Sequence, residues 1–200
     1  MSRLRILAVL TVLGGAVMAR NIEIKARIES VTSLLPRVAA LATSGPTDID
    51  QDDTFFRCEN GRLKLRTFSA ESGELIFYRR PEQFGPKESF YLISPTSSPG
   101  TLRQLLTLSH GQVGRVQKHR TVFLVGSTRV HLDCVKGLGD FLELEVVLQD
   151  GEKAETGIAE ASALMKKLGI QSSQLIEGAY LDLLAAKHAS FPPCPTPQSG

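Results

Sequence analysis

The sequence predicts an α+β fold: an eight-stranded antiparallel β-barrel with helices packed on its outer face. Three observations carry this reading. Segments that alternate apolar and polar residues with a period of two recur through most of the chain. Short turn-forming linkers join most of them, which favours antiparallel neighbours. Two amphipathic helical stretches follow, with apolar stripes suited to covering a sheet. Two hundred residues are enough for one such domain.

The first strand is Asn21 to Ile28, with Ile22, Ile24, Ala26 and Ile28 on one face and Asn21, Glu23, Lys25 and Arg27 on the other. Ser30 can cap a helix through Leu34, Leu35, Val38, Ala39 and Leu41, which Pro36 would kink outside its first turns, and Gly45-Pro46-Thr47-Asp48 ends it. Strands are expected at Gln51 to Cys58, then Arg62 to Phe68 after the Asn60-Gly61 hairpin signal, then Glu74 to Arg80 and Ser89 to Ser94. After Pro95 to Gly100, Thr101 can cap a helix over Leu102, Leu105, Leu106 and Leu108. Strands at Arg115 to Val125, Thr128 to Val135 and Asp140 to Leu148 bring the number to eight, which closes a barrel with a usable interior. The final helices are expected at Lys153 to Leu168, with Ile158, Ala161, Leu164, Met165 and Leu168 in one stripe, and at Ser173 to Lys187, with Leu175, Ile176, Ala179, Leu183 and Leu184 in another.

The polar faces are unusual because they keep their charge from strand to strand. If they converge inside the barrel, the lumen holds Glu23, Asp133, Glu143 and Glu145 beside Lys25, Arg62, Lys64, Arg66, Arg80, Lys118, Arg120 and Arg129. Carboxylates hold hard dications through oxygen, and Lys and Arg neutralise phosphate oxygens. Such a lumen suits a polyanion carried with a divalent cation. His131 shares the Asp133 face and reads as a neutral filler rather than a ligand. Tyr78 is either a barrel side chain or a proton-transfer partner.

Composition narrows the function classes. A formal net charge of +2, with cations scattered among strands, argues against a nucleic-acid polymer as partner, and the absence of Trp disfavours base-stacking platforms. Cys58, Cys134 and Cys194 have neither zinc-site pairing nor disulfide density, so they read as free thiols in a reducing, cytoplasmic setting. Arg3 and Arg5 precede an apolar run from Ile6 to Met18, which resembles a signal peptide or anchor but falls short of the ~20 apolar residues of a membrane span. Residues 1–17 are therefore expected to be a signal-like or dispensable extension, residues 18–187 the folded domain, and the Pro-rich residues 188–200 a disordered tail. No stable membrane association is expected, and the domain should be a monomer or homodimer. The chain contains no Gly-x-Ser-x-Gly, phosphate-loop or Cys-x-x-Cys motif.

Seven segments in order complete the picture: Ile22-Glu23-Ile24-Lys25, Gln51-x-Asp53-Thr54-Phe55-Phe56, Gly61-Arg62-Leu63-Lys64-Leu65-Arg66, Tyr78-x-Arg80, Val116-x-Lys118-x-Arg120, Arg129-x-His131-x-Asp133 and Phe141-Leu142-Glu143-Leu144-Glu145. Together they resemble the CYTH domain of the triphosphate tunnel metalloenzymes, which include class IV adenylyl cyclases, thiamine triphosphatases and inorganic triphosphatases. The resemblance implies metal ligation by Glu23, Asp133, Glu143 and Glu145 and phosphate binding by Lys25, Arg62, Lys64, Arg66, Arg80, Lys118, Arg120 and Arg129. Lys25 is the candidate to position or deprotonate an attacking water. The implied cofactor is Mg²⁺ or Mn²⁺, and the implied substrate is inorganic triphosphate or a small molecule bearing a triphosphate. A class IV-type cyclase and a noncatalytic polyphosphate-binding module are the alternatives. One departure stands out: Asn21 occupies the place of the first Glu in the family's Glu-x-Glu-x-Lys signature.

Overall fold

A computed structural model describes residues 19–79 and 87–189 of the chain. Period-two patterning gives β1 (Ala19–Arg27), β2 (Ser44–Phe56), β3 (Arg62–Ser69), β4 (Ser72–Arg79), β5 (Lys87–Thr96), β6 (Gln112–Val125), β7 (Thr128–Val135) and β8 (Gly139–Val147). Every neighbouring pair is antiparallel, and the order β1-β5-β4-β3-β2-β6-β7-β8 closes through the β8–β1 ladder into a barrel. Closure leaves no open edge along the ring, which lets each strand commit one whole face to the interior.

The apolar faces look outward and are covered by helices. Ile22, Ile24, Ala26, Val130, Leu132, Leu142, Leu144 and Val146 form the main core with Leu34 and Val38 of α1 (Val31–Leu41) and Ala161, Leu164 and Leu168 of α3 (Ala154–Leu168). Full burial of each large aliphatic side chain contributes about 1.5–3 kcal/mol. A smaller cluster seats Leu106 of α2 (Pro99–His110) on Phe56 and Leu65. Ser30 caps α1 by accepting from the Ser33 N–H at 3.1 Å, and Pro36 stands inside the helix, where Thr32 loses its intrahelical donor.

Several element boundaries differ from the sequence reading. β2 begins at Ser44 rather than Gln51, because β6 is itself fourteen residues long and offers a partner as far as Ser44–Leu124. On the outer face of this extension Asp48 and Asp50 meet Thr121 and His119. α2 starts at Pro99 after Ser98, not at Thr101, since proline at the first helical position sacrifices no intrahelical bond. In α3 the buried stripe runs through Gly157, Ala161, Leu164 and Leu168, while Ile158 is 37% exposed. Gly157 takes that place because a Cβ there would come within 2.7 Å of Ile22 and Leu148.

The last helix departs most. A 3-10 turn at Ser172–Gln174 and a bridge between Leu175 and Ala26 replace its expected first turns, and α4 covers only Tyr180–Ala189. The Ile176 N–H is spent on the Lys25 carbonyl at 3.0 Å, so this backbone serves the barrel rather than a helix. α4 does not cover the outer face. Tyr180, Leu181, Leu183 and Leu184 pack on Phe55, Val116, Val135 and Phe141, which are interior residues at one end of the barrel. The expected tail boundary also shifts, because α4 runs to Ala189 and the expected disorder of residues 190–200 lies outside the described residues.

Candidate functional site

Register decides what faces the lumen, since directly opposed residues of a ladder share a face. Lys25 opposes Glu143 and Glu23 opposes Glu145 across β1–β8; Arg129 opposes Glu145 across β7–β8; Arg120 opposes Asp133 across β6–β7; and Arg66 opposes Asp53 across β2–β3. Among the described residues, the interior charge in these ladders thus comes from β1, β2, β3, β6, β7 and β8.

Two buried aspartates organise the cations. Asp53 accepts from Lys64 Nζ at 2.8 Å and from Arg66 Nε and Nη2 at 2.8 Å each. Burial would raise its carboxyl, but the charges of Arg66 and Lys64 outweigh it and hold it well below the usual carboxylate range. Asp133 accepts from Arg120 Nε and Nη2 at 2.6 Å, from Lys118 Nζ at 2.9 Å and from the Tyr180 hydroxyl at 2.9 Å. Against the same desolvation, Arg120 and Lys118 keep Asp133 ionised far into acid. The cations respond differently. Burial, then repulsion from Arg66, draws Lys64 down to about 8, and burial with repulsion from Arg120 draws Lys118 down to about 7.

α4 supplies side chains that the sequence reading did not single out. Tyr180 lies under Lys25, whose Nζ is 4.2 Å from the ring centroid, and its ring meets Phe141 at 4.9 Å. Asp182 receives both ends of the Arg62 guanidinium at 2.9 and 2.8 Å. Neither contact is visible in a helical stripe, because each depends on α4 lying across the barrel end. Asp53 was legible only as part of a motif, with no role attached.

The other acidic wall is built from Glu143 and Glu145. Glu143 receives Arg120 at 2.9 Å and faces Lys25 at 3.9 Å; desolvation is overcome by Lys25 and Arg120, so it is held well below the usual range. Glu145 accepts from the Asn21 amide and meets Arg129 at 3.2 Å, while His131 Nε2 stands 3.9 Å away. Burial, then the charge of Arg120, presses the His131 imidazole well below its ordinary value, which favours the neutral ring.

The structure therefore brings Lys25, Glu23, Glu143 and Glu145 to one wall and gathers Lys64, Arg66, Lys118 and Arg120 around two aspartates. Arg80 lies outside the described residues, as does Cys194; Cys58 and Cys134 are free thiols. Tyr78 is an interior side chain packed against the α4 cluster, not a member of the acidic wall. Asp133 has a setting different from the metal-ligand role expected of it: its oxygens are taken up by Lys118, Arg120 and Tyr180.

Among the described residues, no group of three His, Cys, Asp or Glu side chains is arranged to hold a metal ion unaided. The donor set still fits a dication whose shell is completed by water and phosphate oxygens. Glu23 and Glu145 oppose one another, and the buried Asn21 Oδ1 and His131 Nδ1 beside this wall have no hydrogen-bond partner among the described residues. Among those residues, no helix is long and apolar enough to cross a membrane.

Comparison with known proteins agrees with this fold. The chain is 26% identical over 171 residues to adenylate cyclase CyaB of Aeromonas hydrophila, covering 82% of this chain and 87% of the relative. The structure of PH1012 from Pyrococcus horikoshii OT3 superposes with a TM-score of 0.74 at 20% identity, covering 82% of this chain and 98% of that one. The Hippeastrum protein HpAC1, described as having a dominant triphosphatase activity, superposes with a TM-score of 0.60 at 15% identity over 88% of this chain and 98% of its own. The CYTH domain family model matches residues 19–180, and the chain belongs to the CYTH domain family.

Proposed function

We propose that this protein is a divalent-metal-dependent phosphohydrolase acting on inorganic triphosphate or on a small molecule that bears a triphosphate. The carrying observation is the lumen itself: cations from β1, β3, β6 and β7 face an acidic wall on β1 and β8 inside one closed ring. Lys64, Arg66, Lys118 and Arg120 would clamp the phosphate chain, with Asp53 and Asp133 fixing their geometry from behind. Asp133 is thereby a positioning residue rather than a ligand. Glu23 and Glu145, with Glu143 beside them, would hold the dication. When bound, that ion offsets charge on the reacting phosphoryl oxygens.

Lys25 orients the attacking water and screens the phosphoryl group. Its Nζ lies 3.9 Å from Glu143 and 4.2 Å from the Tyr180 ring centroid, which aims it at the acidic wall where the water would be positioned or deprotonated. The excess of positive charge along β3 and β6 favours polyphosphate over a singly charged ester. A second reading, cyclisation of ATP, is favoured by the relative named adenylate cyclase CyaB and differs only in the nucleophile. A third, binding without turnover, is favoured by Asn21 standing on Glu145 where a carboxylate is expected.

A panel of tripolyphosphate, thiamine triphosphate and ATP, each with Mg²⁺ and with Mn²⁺, separates the three. Release of inorganic phosphate from any of them supports the hydrolase. Pyrophosphate with cyclic AMP from ATP replaces it with the cyclase, and tight calorimetric binding without product replaces both with a binding module.

A further inference from the structure

We propose that β4 and β5 hold the organic group of the substrate, with Ile76 and Ile93 as an apolar platform for a flat heterocycle and Glu74 as the acceptor for its amino group. This rests on the triphosphate reading above and narrows it to a triphosphate joined to an amino-substituted ring. The platform is set by register. Lys64 of β3 opposes Ile76 of β4, which opposes Ile93 of β5; on one side of this row Arg66, Glu74 and Pro95 oppose one another, and on the other side Arg62, Tyr78 and Tyr91 do. Opposed residues share a face, so all three rows continue the lumen from the cations of β3. The alternate positions Leu63, Leu65 and Leu75 pack outward with Leu106 of α2. Two contacts across the lumen agree: Lys64 Nζ lies 5.6 Å from the Tyr78 ring centroid, and the Arg129 guanidinium of β7 donates to the Tyr91 hydroxyl.

This wall is unlike the rest of the lumen. Asp53 and Asp133 are each saturated by cations, whereas Ile93 stands 42% exposed at an inward-facing position. A large aliphatic side chain left open to water inside a charged lumen gains when a ligand covers it. In the neighbouring row, the buried Glu74 Oε2 has no hydrogen-bond partner among the described residues, because Arg66 opposite commits Nε and Nη2 to Asp53. A carboxylate oxygen accepts, so the group that satisfies it is a donor such as a ring amine. Neither feature serves a bare phosphate chain, whose oxygens are repelled by a carboxylate and gain nothing from isoleucine. An apolar platform with one acceptor at its edge suits an amino-substituted heterocycle. Neighbouring strands lie about 4.8 Å apart, so a phosphate chain clamped by β3 leaves the next two strands to the group it carries.

The test titrates the full chain calorimetrically, without added metal, with tripolyphosphate, ATP and thiamine triphosphate. Recognition through phosphate alone ranks tripolyphosphate first, because it carries the most negative charge. The proposal expects the reverse: a ring-bearing ligand binds roughly tenfold tighter than tripolyphosphate, and the order of ATP and thiamine triphosphate tells whether the ring is an adenine or an aminopyrimidine. Ile93→Ser and Glu74→Met should each bring the ratio to within about threefold, through weaker binding of the ring-bearing ligand. Ile93→Ser should also leave the thermal transition unchanged, since that side chain is already open to water. Tripolyphosphate binding as tightly as both ring-bearing ligands in the wild-type chain overturns the proposal and leaves a metallohydrolase of inorganic triphosphate standing, and that measurement needs no variant to fold. A wild-type preference that survives both substitutions overturns it as well, because the ring is then held elsewhere. Failure of all three ligands to bind overturns the proposal together with the triphosphate reading on which it rests.

Discussion

Asp133 and Glu145 are both interior carboxylates on paired strands, yet they are built for opposite ends. Asp133 is fully buried and receives two cations and a phenol, so its charge is spent inside the protein. Glu145 is flanked by the Asn21 amide and the His131 imidazole and meets the Arg129 guanidinium at 3.2 Å. The difference teaches how a highly charged tunnel folds before any substrate arrives. On the proposed reading, the cations that would meet phosphate are neutralised by buried aspartates, because an unpaired buried charge costs several kcal/mol. Glu145, which would meet a dication, carries a lighter load of cations than Asp133 does.

Breaking the Asp133 side of this contrast should have the largest effect. Asp133→Asn strands Lys118 and Arg120 without their counter-charge, and equilibrium unfolding in denaturant should show a loss of about 3–5 kcal/mol. A loss under about 1 kcal/mol, the worth of an exposed pair, would place Asp133 in the same class as Glu145. The mirror experiment is Glu145→Gln. Stability should change by less than about 1 kcal/mol, while metal-dependent triphosphate turnover falls roughly 100-fold or more, since direct charge stabilisation by the ion is worth several kcal/mol. Wild-type turnover at saturating metal would remove Glu145 from the seat.

A smaller change sharpens the same line. Tyr180→Phe keeps the ring beneath Lys25 but removes the hydroxyl that donates to Asp133, and should cost about 2 kcal/mol in thermal or denaturant unfolding. No loss would mean that α4 is held at the barrel end by Phe141 and its apolar neighbours alone.

The smallest expected effect is a pH dependence with opposite signs for stability and for binding. Lys118 and Lys64 are drawn down to about 7 and 8, while unfolded lysines stay protonated to about 10. Between pH 7 and 10 the unfolded chain therefore binds more protons, and these two residues make stability rise with pH. Metal-free tripolyphosphate affinity should fall over the same range as the two ammonium groups lose charge. On the acid side, Asp53, Asp133 and Glu143 lie below their ordinary values, so the stability they contribute is complete above about pH 4 and is lost as pH falls further. Calorimetry at pH 6 and pH 9 checks the first pair of signs, and acid unfolding checks the last.

Most of the barrel was legible in the chain because a strand's alternation is local. Ile22 and Glu23 declare their faces without reference to anything else, and the same holds for Leu63 and Lys64 or Leu144 and Glu145. Antiparallel order followed from short turns, and the candidate site followed from the polar faces once the ring closed. What the residues could not declare was partnership across distance. Nothing near Asp133 in sequence says that Tyr180 will cap it, and nothing near Arg62 points to Asp182; both depend on α4 crossing the barrel end rather than its side. The apolar stripe of that helix has the same period whichever surface it meets, so only the packing of Phe55, Val116, Val135 and Phe141 at the interior rim decided the matter. Likewise the sequence determined that Asn21 would stand on the charged face, where it carries no charge of its own. That it would hydrogen-bond Glu145, with His131 Nε2 3.9 Å from the same carboxylate, was settled by the register of β1, β7 and β8, since hydrogen-bonded pairing, not sequence neighbourhood, sets which side chains share a wall.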